Sequence, residues 1–120
     1  MLIRQGVFMR MCFFDFATLS ACDFSDADLQ FLSFAGSAIH DCFMEGAELV
    51  NMNFGGVIIT GSSFGKTNLS SSNFIYANIT RSDFTDCNLK HTNFTKSIRV
   101  EVPFKSSNTA EAIFEMEDQK

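Results

Sequence analysis

The sequence predicts an all-β fold in which the chain winds a four-sided coil of very short strands about one axis. Three observations predict it. Large apolar residues recur every five positions, a small residue stands two places before almost every one of them, and the large residues sort into four columns that return every twenty positions.

The five-residue period comes first. From residue 14 to residue 94 the centres are Phe14, Leu19, Phe24, Leu29, Phe34, Ile39, Met44, Leu49, Phe54, Ile59, Phe64, Leu69, Phe74, Ile79, Phe84, Leu89 and Phe94. All are large and apolar. Two places earlier stand Cys12, Ala17, Cys22, Ala27, Leu32, Ser37, Cys42, Ala47, Met52, Val57, Ser62, Thr67, Ser72, Ala77, Ser82, Cys87 and Thr92; only Leu32, Met52 and Val57 are not small. Two inward positions separated by one outward residue are the geometry of a strand. The next inward position arrives three residues later, which breaks strand alternation, so the chain turns a corner once in every five residues.

The number of sides follows from the columns. Leu29, Leu49, Leu69 and Leu89 form one, and Leu19, Ile39, Ile59 and Ile79 another. Two Phe columns complete the square, one of Phe14, Phe34, Phe54, Phe74 and Phe94, the other of Phe24, Met44, Phe64 and Phe84. Composition agrees with a packed interior. Fifteen Phe stand against one Tyr and no Trp, and Phe alone among the aromatics needs no polar partner when buried.

Phrases such as "TNLSS", "YANIT", "SDFTD", "DCNLK" and "TNFTK" repeat a small residue, Asp or Asn, Leu or Phe, and two variable residues. In this the chain resembles the pentapeptide-repeat proteins over residues 12–96. The resemblance implies a right-handed quadrilateral parallel β-helix of about four coils. Met44, Leu32 and Met52 depart from the pattern, as do Phe13, Phe43 and Ile58 where Asp or Asn is usual. They predict local bulges or exposed apolar patches. Residues 1–11 are expected to cap the first coil. Residues 97–120 are expected to cap the last, with a short C-terminal helix in "NTAEAIFEMEDQK", where Asn108 and Glu111 have capping-box spacing and Ala110, Ile113 and Phe114 share a face.

The candidate chemistry is sparse. Cys12, Cys22, Cys42 and Cys87 all occupy the small inward position and read as packing residues; no CxxC occurs, and neither metal nor cofactor is expected. His40 and His91 fall at outward positions with no nucleophile in register, so no catalytic role is expected. Arg4 and Arg10 interrupt the apolar start of the chain, so a secretory leader is not expected, nor a membrane span. The expected compartment is the cytoplasm. The net charge of −5 argues against direct nucleic-acid binding.

Charge is more informative than chemistry. The walls centred on the second Phe column and the pure Leu column carry Asp23, Asp26, Asp28, Glu45, Glu48, Asp83 and Asp86 against Lys66 and Lys90. These acids form a candidate acidic docking surface. The other two walls balance Asp15 and Asp41 against Arg81 and Lys96 and offer Phe13, Ile58, Ile75 and Tyr76 as a candidate apolar docking surface. The expected function is therefore a non-enzymatic protein-binding module or scaffold, with a homodimer through an end of the rod as a further expectation. The resemblance also implies an alternative. Alternation of Phe with Leu, and phrases such as "CDFSDADL", resemble the quinolone-resistance subgroup, which implies a DNA-mimic that binds a type II topoisomerase, DNA gyrase, and modulates it or protects it from quinolones.

Overall fold

The computed structural model describes residues 13–115. Five three-residue strands, β1 (Thr18–Ser20), β2 (Ala38–His40), β3 (Ile58–Thr60), β4 (Asn78–Thr80) and β5 (Ile98–Val100), form one parallel sheet in sequence order. Every pairing joins residues twenty apart: Leu19 to Ile39, Ile39 to Ile59, Ile59 to Ile79 and Ile79 to Arg99. The other three sides keep the same register through isolated parallel bridges. On the first Phe wall, for example, Phe34 N–H donates to Asn53 O and Phe54 N–H to Asn73 O, both at 2.7 Å. The fold is the quadrilateral parallel β-helix that the sequence predicts, with about four turns between β1 and β5.

Around each turn the order is first Phe wall, sheet wall, second Phe wall and Leu wall, so the two Phe columns face each other. Rings within a column stack, as in Phe54–Phe74 at 4.6 Å and Phe64–Phe84 at 4.8 Å between centroids. Across the interior they meet edge to face, as in Phe54–Phe64 at 6.1 Å and 78°. Both are favoured aromatic geometries. Of the expected core centres, Leu19, Phe24, Leu29, Phe34, Phe54, Phe64, Leu69, Phe74, Phe84, Leu89 and Phe94 are buried; Phe14, at the N-terminal end of the described stack, is half-buried against Phe34.

The corners have a chemistry of their own. From Phe16 to Ser106 every fifth residue takes a positive φ, at fifteen non-glycine residues and at Gly36, Gly46, Gly56 and Gly61. Most corners are closed by a four-residue turn, such as Ala27 N–H to Phe24 O at 3.1 Å with Asp26 at φ 60°, which is the signature of a type II turn. Left-handed backbone costs a non-glycine residue about 1–2 kcal/mol. The Asp and Asn of the repeat help to offset it. Oδ1 of Asp23, Asn53, Asn73, Asp83 and Asn93 each accepts the N–H two residues later at 2.8–2.9 Å, turning a backbone donor away from water. Inward hydroxyls are satisfied too: Ser72 Oγ donates to Leu49 O and accepts from Met52 N–H. Among the described residues no buried side-chain nitrogen or oxygen lacks a partner.

Of the two outcomes expected at the departures, the structure shows the exposed apolar side chains: Phe13, Phe43 and Ile58 hold the twenty-residue register without a bulge and expose their side chains, while Leu32, Met44 and Met52 are buried. One expectation is corrected. The C-terminal helix is, within the described residues, a single 3-10 turn, Thr109–Glu111. Its local signals are real, but the coil above takes them over. Asn108 Oδ1 accepts Leu89 N–H at 2.6 Å, so it caps no helix, and Ile113 pairs with Asn93 as a strand residue. Arg99, Phe104, Thr109 and Phe114 thus occupy the four centres of a further coil. The N-terminal cap expected over residues 1–11 lies outside the described residues, as do Cys12 and residues 116–120.

Candidate docking surfaces

The coil has two corners of opposite character, diagonally across the square. The acidic corner joins the second Phe wall to the Leu wall. Down the former run Asp23, Phe43, Ser63 and Asp83, and down the latter Asp28, Glu48, Asn68 and Asn88. The corner column between them is Asp26, Gly46, Lys66 and Asp86. The fold therefore brings all seven acids of the candidate acidic surface onto adjoining walls. Asp23, Asp26, Asp28, Glu45 and Glu48 lie on the first two turns, and Asp83 and Asp86 lie beyond Lys66.

Several of these carboxylates already serve the backbone. Asp23 and Asp83 accept turn N–H groups, Asp28 accepts Gln30 N–H and its Nε2, and Glu48 accepts Asn68 Nδ2. Asp26 leans over Gly46, where an added Cβ would meet its Oδ1 at 2.2 Å. The negative surface is thus built partly from groups that fix the corners.

The apolar corner joins the first Phe wall to the sheet wall. Its column reads Phe16, Gly36, Gly56, Tyr76 and Lys96. Phe16 and Tyr76 project with 81% and 66% of their surface exposed. Phe16 rests its ring on Gly36, where an added Cβ would come within 2.6 Å, whereas a Cβ at Gly56 would meet nothing within 4 Å. The result is a saddle of bare backbone between two aromatic side chains. Ile58 projects from β3 beside it, and Phe13 from the first Phe wall at its N-terminal end. Ile75 is only half-buried and so contributes less than the sequence suggests. Across the two walls that meet here, residues 31–40, 51–60 and 71–80 contain no Asp, Glu, Lys or Arg.

Sequence reasoning missed Phe16, Phe31, Ile98 and Val100, all exposed. Phe16 and Phe31 stand at corner positions, and a large aromatic two places after a centre was the signal that pointed to them. Ile98 and Val100 lie beyond residue 96, outside the span over which the five-residue pattern is legible in the sequence.

The interior offers packing rather than chemistry. Cys22, Cys42 and Cys87 are free and buried. Burial pushes the thiols of Cys42 and Cys87 above the ordinary range, and Cys87 Sγ contacts Thr67 Oγ1 at 3.2 Å and Phe64 O at 3.0 Å. Among the described residues no three His, Cys, Asp or Glu side chains gather where they could hold a metal, and no helix is long and apolar enough to cross a membrane.

A family model described as "Pentapeptide repeat region" matches residues 37–114. No curated protein matches the chain. Among solved structures, QnrB1, a plasmid-mediated fluoroquinolone resistance protein, is similar at 17% identity and TM-score 0.46 over 87% of this chain and 71% of its own. A pentapeptide repeat protein of the Arabidopsis thaliana thylakoid lumen is similar at 23% identity and TM-score 0.47; the alignment takes in 91% of this chain but only 63% of the plant protein. The cyanobacterial protein Rfr23 from Cyanothece 51142 is similar at 15% identity and TM-score 0.42 over 98% of this chain and 88% of its own.

Proposed function

Because the chain belongs to the pentapeptide-repeat family, we propose that it is a non-catalytic protein-binding module, a rigid cytoplasmic rod whose apolar corner receives a protein partner. One observation carries this reading. Phe16, Ile58 and Tyr76 project around the glycine saddle, on two walls that stay free of charge through three consecutive turns. Exposed aromatics beside accessible backbone are how interfaces gain contact area at low entropic cost, and an acidic chain gains nothing in solubility by leaving these walls uncharged. The interior, filled by side chains, leaves the outer surface as the place of function.

The test is to capture partners from the source lysate and measure their binding to Ile58→Asp with Tyr76→Asp. Binding lost in this pair, with the fold intact and little dependence on salt, supports the reading. Undiminished binding removes the corner from it.

A second reading has its own observation. From residue 13 to residue 65 there are seven acids and no Lys or Arg, so the N-terminal half of the rod presents a strongly negative surface that attracts basic grooves. Under this reading the protein imitates duplex DNA and binds a type II topoisomerase such as DNA gyrase. Supercoiling assays with and without a quinolone, and competition by DNA, decide it.

A further inference from the structure

Among the described residues the sheet wall alone turns no Asp, Glu, Lys or Arg outward. Its outer rows are Thr18, Ala38, Ile58, Asn78 and Ile98, and Ser20, His40, Thr60, Thr80 and Val100, of which Ile58, Ile98 and Val100 are exposed apolar residues. Charge appears only in the two corner columns that bound the wall. One is the apolar corner, Phe16, Gly36, Gly56, Tyr76 and Lys96; the other reads Ala21, Asp41, Gly61, Arg81 and Glu101.

Both columns complement themselves when reversed about one level, that of Gly56, Ile58 and Gly61. Two rods packed wall to wall about a twofold axis lying across the wall at this level run antiparallel, and each corner column meets its own copy inverted. Asp41, one coil before Gly61, then faces the partner's Arg81, one coil after it, and Arg81 faces the partner's Asp41. Both side chains are exposed. Asp41 already leans along the corner toward the axis, since an added Cβ at Gly61 would meet its Oδ1 at 2.7 Å. On the apolar corner the Phe16 ring lies over Gly36, level with the partner's Tyr76 and next to the partner's Lys96. These provide an aromatic contact and a cation–π contact. Gly56 and Gly61 leave the axis free of side chains at both corners, and Ile58 meets its own copy between them.

We propose that the sheet wall is the seat of a second copy of this chain, held antiparallel by reciprocal Asp41–Arg81 ion pairs and by the aromatic corner. This rests on the reading that the apolar corner receives a protein, and it names that protein. The charges select the antiparallel arrangement. Parallel rods packed on the same wall set Asp41 against Gly36 and the ring that covers it, and a charge enclosed there without a counter-ion opposes association. They also select the wall: the acidic corner lies on the far side of the rod, so a chain of net charge −5 repels its copy least across this face.

The experiment is sedimentation of the full chain over a concentration series, with Asp41→Arg, Arg81→Asp and the two exchanged together. Each single exchange sets like charges against each other at both ends of the wall and should weaken the dimer at least about tenfold, and the double exchange should restore it. Both positions already carry a positive φ, as do Lys66 and Asp86, so either residue type is borne there. In parallel, Thr18→Cys and Ile98→Cys, at exposed strand positions four strands apart, are treated with a short thiol cross-linker beside wild type. A mixture of the two should yield a linked dimer, and neither variant alone should. A wild type that stays monomeric throughout the series overturns the proposal, as does a double exchange that dimerises no better than the single ones. Linking of either cysteine variant to itself overturns it too, a result that stands even where a charge variant fails to fold. Lysate capture with Tyr76→Asp judges the corner separately, so the corner's role toward another protein stands or falls apart from the second copy.

Discussion

Truncating Phe54 to alanine removes a fully enclosed ring from the middle of the first Phe column. Phe54 is fully buried, stacked between Phe34 at 5.5 Å and Phe74 at 4.6 Å, with Phe64 edge on at 6.1 Å. A buried Phe removes roughly 150 Å² or more from water, which at about 25 cal/mol per Å² is worth about 4 kcal/mol. Coils on both sides are fixed by the twenty-residue register, so the cavity cannot collapse, and the cost should fall in the upper part of the roughly 3–5 kcal/mol range for Phe→Ala. The neighbouring Asn53→Ala is the control. It loses the bond from Gly55 N–H at 2.9 Å and one from Asn73 Nδ2 at 3.3 Å, both exposed, for about 1 kcal/mol. Urea titration followed by far-UV circular dichroism reads both. The midpoint of Phe54→Ala should drop several times further than that of Asn53→Ala at similar slope. Losses within about 1 kcal/mol of each other would refute the inward register.

Gly36→Ala should destabilise more than Gly56→Ala, because only the former drives a methyl into the Phe16 ring; thermal melts of the two variants check this. Cys22, Cys42 and Cys87 should react slowly with thiol reagents in the native protein and quickly in urea, and purified protein should carry no stoichiometric zinc. Raised thiol pKa values at Cys42 and Cys87 mean that the unfolded chain loses those protons first as pH rises. Stability should then be unaffected below the ordinary thiol pKa and decline from there up to the folded value. Cys42→Ala with Cys87→Ser should flatten that alkaline decline in a pH series of urea titrations. Removing residues 106–120 takes away Asn108 and Phe114, uncovering Leu89 and Phe94; light scattering should show association or lost solubility.

The coil was legible because one steric rule, large side chain in and small side chain two places before it, repeats often enough to overrule its exceptions. The corners were not. Their left-handed backbone is borne by Phe, Ala, Asp, Asn, Lys, Ser, Tyr, Arg, His and Glu as well as by Gly, so no glycine signal marks them, and Phe16 and Phe31 were passed over. The last coil was hidden by Arg99 and Thr109, which break the aliphatic columns, although Phe104 and Phe114 keep the ten-residue Phe spacing. Asn108 and Glu111 carried a genuine helix-start signal. A long-range acceptor bond to Leu89 N–H outweighed it, and no local pattern reveals such a bond. The acidic and apolar walls could be assigned from register alone, whereas the glycine saddle needed the side-chain directions of Phe16 and Tyr76.

Whether the apolar corner is the working surface of the rod turns on one comparison. Binding of the captured partner is measured for Ile58→Asp with Tyr76→Asp and for Asp23→Lys with Glu45→Lys, at low and at high salt. Exposed charges are screened over roughly 10 Å at 0.1 M salt, so the two corners answer differently. With the apolar corner as the working surface, binding is lost in the first pair, kept in the second, and nearly unchanged by salt. Binding lost only in the second pair, weakened by salt and displaced by DNA, would contradict it.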